Sequence, residues 1–286
     1  MTFTIGIIGN GFVGKATSLL ECPEIVSIIY DIKPELCKPS GTTLADITNC
    51  DLIFISVPTP SNKDGSCHLK VLESVVKELE QIQSLDSCLV LNRCTVPVST
   101  SDRLKCYFMP EFLTEKNFEH DFIHNPDWIF GLKGTPQDTL FKEKVQTLIN
   151  LAQKYNRITS DSIHFVSNKT AESIKLFRNT YLATKVGFCN EFYQFSTKVG
   201  VNYETVRELA TRDKRIGSSH TIVPGHDGKY GFGGTCFPKD TNNLLNQMTR
   251  LGMESYILKG VVERNERVDR PEQDWKLDTG RAFSGE

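Results

Sequence analysis

At 286 residues the chain has room for one large domain or two ordinary ones. Its 33 Lys and Arg against 35 Asp and Glu give a formal net charge of −2 and a pI near 6.3, which excludes a general attraction to nucleic acid or anionic membrane. The nine cysteines (Cys22, Cys37, Cys50, Cys67, Cys88, Cys94, Cys106, Cys189 and Cys236) are odd in number and form no CxxC pair, which reads as reduced thiols in a cytoplasmic protein.

FTIGII (residues 3–8) reads as a short buried strand, entered without a basic leader or cleavage site, and GNGFVGKATSLL as the turn and helix after it. IVSIIYD (25–31) and DLIFISVP (51–58) are β-branched apolar runs of the length of parallel strands covered on both faces. LKVLESVVKELEQIQ (69–83) sets Leu69, Leu72, Val75, Val76 and Leu79 on one helical stripe. CLVLNRCT (88–95), KCYFMPEF (105–112) and DWIFGLKG (127–134) continue the strands, and DTLFKEKVQTLINLAQKY (138–155) is helical. This alternation predicts a Rossmann-like, doubly wound α/β sheet. From residue 168 the period is helical for about 30 residues without a strand run, and YETVRELATR and TNNLLNQMTRLG are helical too. The expected organisation is a dinucleotide-binding domain over 1–167, a mostly helical domain over 168–270 built on one long helix, and a polar tail, 271–286, that frays. No apolar run reaches the roughly 18 residues of a membrane span.

Gly9, Gly11 and Gly14 form GxGxxG, a weak pattern by itself. Its setting strengthens it, because a strand precedes it, a helix follows, and Asp31 ends the next strand. In such a unit the first glycine permits the turn, the second lets a pyrophosphate approach backbone N–H groups, and the third packs helix on strand. Phe12 and Val13 complete the cofactor loop. The Asp31 carboxylate would accept bonds from both ribose hydroxyls and repel a 2′-phosphate, favouring NAD over NADP, while Lys33, two residues on, would blunt that discrimination. The plain alternative is a tight turn with no ligand.

GFGGTCFPKD (231–240) crowds three glycines, a cysteine, a proline and a Lys-Asp pair into ten residues. Pro238 suits the first turn of a helix, which places Cys236 just before a helix N-terminus, where backbone N–H groups and the macrodipole favour a thiolate. Lys239 would add positive charge, and Asp240, four residues on, falls on the same face. Against this, free cysteines are usually inert and an acid in a first turn is ordinary.

A GxGxxG domain followed by a helical domain carrying FGGTCFPKD resembles the UDP-glucose/GDP-mannose dehydrogenase family, whose signature is FGGxCxxKD. SVPTP (56–60), CTVPVST (94–100), PEFLTE (110–115), IKLFRNTYLATKVGFCNE (174–191) and RIG (215–217) match further family segments in order. The resemblance implies oxidation of a nucleotide-sugar primary alcohol to a carboxylate with two NAD, UDP-glucose being the best single substrate. Cys236 would attack the aldehyde, giving a thiohemiacetal and then a thioester. Lys175 and Asn179, four apart on one helix face, become oxyanion donors by the match, although such a pair otherwise reads as solvated surface. Glu115 is implied as the base for thioester hydrolysis and as a cofactor contact, Glu111 as a residue that positions water or deprotonates the alcohol. Thr95 is placed beside the nicotinamide or the reacting oxygen, Asp240 on a catalytic water or the lysine, and Val57, Pro58 and Thr59 near the cofactor. Phe112, Leu113, Phe232 and Gly233 join Glu111, Lys175, Asn179 and Cys236 as substrate contacts. Arg215 matches an arginine that reaches a neighbouring subunit's site, which implies a homodimer through the long helix; alone it reads equally as a surface cation. No metal is expected.

Three differences from the family pattern stand out. A third, nucleotide-sugar-binding domain is expected in relatives and does not follow here; Lys116 stands where the family has glycine; and the stretch between Arg215 and Cys236 is long, so that His220, His226 or Lys229 would supply contacts of the missing domain. His68 replaces a common Asp. Two rival readings follow, a two-electron hydroxy-acid dehydrogenase, which has no need of Cys236, and a non-catalytic NAD-binding remnant that needs a partner domain.

Overall fold

A computed structural model describes residues 2–285 and gathers them into two compact units. One is the chain up to Thr59 with Leu69–Lys175; the other is Pro60–His68 with everything from Leu176 on. The division thus falls inside the long helix, beyond the boundary expected at 167, and residues 60–68 go with the second unit.

The first unit holds a seven-stranded sheet in the order β2-β1-β3-β4-β5-β6-β7. The strands are β1 (Phe3–Ile8), β2 (Ile25–Tyr30), β3 (Leu52–Ile55), β4 (Val90–Asn92), β5 (Tyr107–Phe108), β6 (Trp128–Leu132) and β7 (Ile163–Ser167). Alternate strand residues feed two separate cores. Leu52, Phe54, Leu91 and Tyr107 join one, with Ala16, Phe122 and Phe141 from the helices. Ile53, Ile55, Val90 and Phe108 join the other, with Ile47, Leu72 and Leu79. Both faces being covered, the strands read as unbroken apolar runs rather than as alternation. Each such aliphatic or phenylalanine side chain contributes about 1.5–3 kcal/mol on burial, which offsets much of the ordering cost of its residue.

The helices of this unit are α1 (Phe12–Ser18), α2 (Leu44–Ile47), α3 (Lys70–Ile82), α4 (Thr100–Arg103), α5 (Phe118–Ile123) and α6 (Asp138–Lys154). β1 pairs in parallel with both β2 and β3, so the strand order reverses at β1. The carboxyl ends of β1 and β3 are the place where open α/β sheets bind ligands. Two details depart from expectation. The β5–β6 pairing is antiparallel and rests on the single pair Phe108↔Gly131, so the sheet is mixed. β7, which the sequence did not reveal, is a half-buried edge strand whose polar flanks and His164 hide its pattern.

α7 (Asn168–Val199) runs from the first unit into the second, which continues with α8 (Tyr203–Ala210), α9 (Phe237–Arg250) and α10 (Tyr256–Arg264). α8 starts at Asn202, whose side chain accepts the Thr205 N–H. Cys189, Tyr203 and Val223 form a small core, and the Tyr203 hydroxyl donates to the Thr221 carbonyl at 2.7 Å. No described helix is long and apolar enough to cross a membrane.

The tail does not fray as expected. Trp275 is buried in a short 3₁₀ turn, Asp274–Leu277, and Ser61 exchanges backbone hydrogen bonds with Ala282 and Ser284. Charge pairing holds it, since Asp274 accepts bonds from Arg270, four residues away (2.7 and 2.8 Å), and from the distant Lys229 (2.7 Å). The bonds from Arg270, with those from Lys229, hold the Asp274 carboxyl well below the usual carboxylate range. Its contribution to stability is therefore present above pH 4 or so, the unfolded value, and is lost as pH falls below it. Asp274→Asn should raise amide hydrogen exchange across 271–285 at neutral pH, by about 1–2 kcal/mol of local stability. Unchanged protection would show that the segment is held by Trp275 alone.

Candidate active site

The glycine turn lies between β1 and α1. Gly9 has φ +93°, and a Cβ on it would fall 2.5 Å from the Ser56 carbonyl oxygen at the end of β3. Any side chain there would drive β1 and β3 apart at their carboxyl ends. A Cβ on Gly14 would collide with the Gly9 carbonyl, so the third glycine lets α1 close onto the turn. Gly11, at the helix cap, behaves differently, because a Cβ there would meet nothing within 4 Å. The motif thus keeps open space before the first turn of α1, as a pyrophosphate requires.

Asp31 follows β2 directly. One carboxylate oxygen accepts the Asn10 N–H at 2.7 Å and the other the Lys33 N–H at 2.9 Å, which fixes the group beside the glycine turn with further lone pairs available. Lys33 contributes its amide here, while its side chain is exposed. Asn10 is buried and anchored to the Leu36 carbonyl. These residues fit the adenosine ribose and pyrophosphate of NAD.

The loops after β3 and β4 are tied by the Thr59 hydroxyl, which donates to the Thr95 carbonyl at 2.8 Å; both residues are buried. Val57 is half-buried and Pro58 exposed. Arg93 is also buried, donating to the Thr17 hydroxyl and, at 3.5 Å, to the Val13 carbonyl, with its guanidinium 5.6 Å from the Phe122 ring centre. Burial pulls its pKa down to about 10, with Glu111 opposing, so it stays charged at neutral pH. Glu111 is buried against Lys175. The Lys175 ammonium donates to the Glu111 carbonyl and lies 3.2 Å from its carboxylate, whose other oxygen accepts the Leu113 N–H. Phe112 lies beneath the same ammonium, 5.7 Å from ring centre to Nζ. Glu115, at the start of a 3₁₀ turn, and Lys116 are exposed.

In the second unit Cys236 is the N-cap of α9, with Pro238 in the first turn and the Asp240 N–H donating to the Cys236 carbonyl at 2.9 Å. Its sulfur, half-buried, lies 3.7 Å from the Thr235 hydroxyl. Asp240 is fully buried. Asn179 donates to one oxygen at 2.5 Å and Lys239 to the other at 3.0 Å. Burial works against the Lys239 ammonium, but Asp240, with Cys67 and Cys236 nearby, prevails and raises its pKa. Lys239 therefore keeps its proton near the thiol at every physiological pH.

The structure thus gathers Asn179, Lys239, Asp240 and Cys236 in one unit and Glu111 and Lys175 in the other. Lys175 and Asn179 are buried rather than solvated. Arg215 is exposed and pairs with Asp213. His68 bonds Asn62, Lys229 pairs with Asp274 and Glu272, and His220 is exposed, its pKa lowered by partial desolvation, then by Lys185 and His226. Phe232 and Gly233 lie in a stretch clamped by residues that sequence reasoning missed. Asn190 accepts the Gly231 N–H at 3.0 Å, and Asn265 pairs with both the N–H (2.8 Å) and the carbonyl (2.9 Å) of Phe232. Asn190 stands in the family-like helix motif, a signal that was available; Asn265 carries none.

A mostly parallel, doubly wound sheet with a glycine turn at its switch point belongs to the class of dinucleotide-binding units, and the second unit is helical with a cysteine at a helix cap. Residues 38–151 match the family model described as UDP-glucose/GDP-mannose dehydrogenase family, NAD binding domain, and residues 169–267 match the central domain of the same family. The chain belongs to that family. The UDP-glucose 6-dehydrogenase of Pseudomonas aeruginosa is 32% identical over 263 residues, covering 86% of this chain and 55% of that protein. The chain spans about half the length of the curated relatives it matches first. The structure of a UDP-glucose dehydrogenase from Pyrobaculum islandicum shares the fold with TM-score 0.78 at 23% identity, covering 97% of this chain and 72% of that one. Mycobacterium tuberculosis 3-hydroxyisobutyrate dehydrogenase shares it with TM-score 0.67 at 13% identity, covering 99% and 97%.

Asp31, fixed beside the glycine turn, is the carboxylate expected to bond the ribose. Asp31→Ala should cost NAD binding about 2 kcal/mol, roughly thirtyfold in Kd, and should narrow the preference over NADP. Titration with both dinucleotides checks this; an unchanged ratio places the ribose elsewhere.

Proposed function

We propose that the chain is an NAD-dependent dehydrogenase that takes the primary alcohol of a nucleotide sugar to the carboxylate through covalent intermediates on Cys236, with UDP-glucose to UDP-glucuronate the best single assignment. The observation that carries this reading is the setting of Cys236, capping α9 beside an ammonium that stays charged. Both features favour a thiolate. A simple two-electron dehydrogenase has no use for such a thiol.

NAD, when bound, accepts a hydride from the sugar carbon once in each oxidation. In the first, the alcohol proton leaves to a base, for which Glu111 is the candidate, and an aldehyde results. The Cys236 thiolate then adds to the aldehyde carbon, forming the C–S bond of a thiohemiacetal. Loss of the second hydride and of the hydroxyl proton leaves a thioester. Water, activated by Glu115, adds to the thioester; the C–S bond breaks, the carboxylate departs and the thiolate returns. The carbon thus gives four electrons to two cofactors and gains one oxygen from water. Lys175 and Asn179 are assigned to the oxygen on which charge develops, and Thr95 to the nicotinamide end. Asp240, paired to Lys239 and Asn179, orients both rather than acting as a base. Phe112, Leu113, Phe232, Gly233 and Arg215 are assigned to substrate.

Chain incubated with NAD and UDP-glucose should yield about two NADH per sugar and a product heavier by 14 mass units. One NADH per sugar would mean the two-electron reading, and none a partner-dependent remnant. Cys236→Ser should bind NAD normally and stop before the carboxylate; full turnover in it would refute the thioester route.

We also propose a homodimer through α7. Phe177, Tyr181, Phe188 and Phe195 on this helix are each more than half exposed, and Phe177 stacks on Tyr181 with ring centres 6.2 Å apart. Contiguous exposed aromatics of this kind mark interaction surfaces. Phe188→Asp should convert dimers to monomers in sedimentation velocity, and a parent chain that is monomeric at every concentration would remove this assignment.

A further inference from the structure

The stretch that leads into Cys236 is held from one side by the segment that follows α10. Residues Asn265–Asp269 form a π-helical turn, closed by the Arg270 N–H donating to the Asn265 carbonyl at 2.8 Å. Such turns are rare and cluster at functional sites, because the extra residue re-aims the side chains that follow. Here Asn265 pairs with Phe232 and Arg270 meets the very next residue, Gly233.

The Arg270 contact is with the face of the guanidinium. A Cβ on Gly233 would lie 2.5 Å from Cζ, 2.7 Å from Nη2 and 2.8 Å from Nε. Near-equal approach to three coplanar atoms means that the flat group lies against the glycine backbone, filling the place of its side chain. The guanidinium is held there on its edges. Nε and Nη2 donate to the two oxygens of Asp274 at 2.7 and 2.8 Å, and Nη1 donates to Asp227 at 2.7 Å. Asp227 belongs to a tight turn in which Gly225 donates to the Lys229 carbonyl at 2.8 Å, and Lys229 returns to Asp274. The side chain is only 5% exposed. A buried cation with this many charged bonds is costly to misplace, and no other side chain offers both a flat face and a forked edge.

We propose that Arg270 is a positioning residue for Cys236, its guanidinium acting as a plate under Gly233, clamped by Asp227 and Asp274, that sets the path of the Gly233–Cys236 stretch and hence the reach of the sulfur. The inference rests on the reading of Cys236 as nucleophile. It assigns a role to the long stretch between Arg215 and Cys236, whose Asp227 turn supplies one jaw of the clamp.

The test uses Arg270→Lys, which keeps the charge but loses the plate, and Asp227→Asn, which opens one jaw and leaves the Asp274 fork. Iodoacetamide labelling of Cys236 is followed by peptide mass spectrometry from pH 6 to 9, beside kcat and KM with NAD and UDP-glucose. Arg270→Lys should lower kcat by about tenfold and shift the pH midpoint of labelling, with the KM for NAD within about twofold of the parent. Asp227→Asn should move both in the same direction by about threefold. Parent-like labelling and kcat in both variants, while Cys236→Ser stays inactive, would overturn the role of Arg270 and leave the nucleophile standing. Should Arg270→Lys fail to fold, a parent-like Asp227→Asn overturns it alone. A fully active Cys236→Ser would instead overturn the reading beneath it.

Discussion

The buried carboxylate of Asp240 is the constraint around which the second unit is organised. A charge with no exposed surface costs several kcal/mol unless it is paired, so both of its partners must be in place whenever the unit is folded. Asn179 brings in α7 and Lys239 brings in the first turn of α9. Together they fix where α9 begins, and the residue at that beginning is Cys236. The same pairing decides the protonation of Lys239, since burial by itself lowers its pKa and Asp240 raises it. A structural demand, neutralising one acid, thereby sets the electrostatics of the neighbouring thiol.

The first unit meets a related demand twice. Arg93 is buried and keeps its charge through Thr17, the Val13 carbonyl and the Glu111 carboxylate nearby. Lys175 is buried and spends its protons on Glu111. Glu111 thus stands in the field of two cations, one bound to α1 and one at the start of α7. Removing either partner would leave the other charge uncompensated, so these groups are as much part of the fold as of any chemistry. Variants at Glu111 or Lys175 therefore need a folding control before a loss of turnover is ascribed to catalysis.

What could be read from the sequence was local. The GxGxxG turn, Asp31 at a strand end and Cys236 ahead of Pro238 all follow from backbone rules acting over a few residues, and each is where the pattern put it. Family membership was readable too, because the family's motifs occur in order along the chain. Contacts between distant segments were not. Nothing local marks β7, whose polar flanks resemble a loop, or the antiparallel turn of β6 against β5. The tail reads as polar, whereas Lys229 and Asp227 reach it from 45 and 43 residues away to pair with Asp274 and Arg270, and Trp275 is buried. Asn265 and Arg270 gave no signal because a π-helical turn has no sequence period of its own.

Residues 60–68 lie within the N-terminal half of the polypeptide yet hydrogen-bond to Ala282, Ser284 and Asn246. The polypeptide consequently passes from one unit to the other three times, near 59, 68 and 175. No single cut yields both units whole. A fragment that starts at 176 loses the peptide that pairs with its own C-terminal end, and a fragment that stops at 175 carries that peptide as an orphan. Dissection of this protein therefore calls for a rearranged gene in which the nine-residue segment is spliced back onto the helical half.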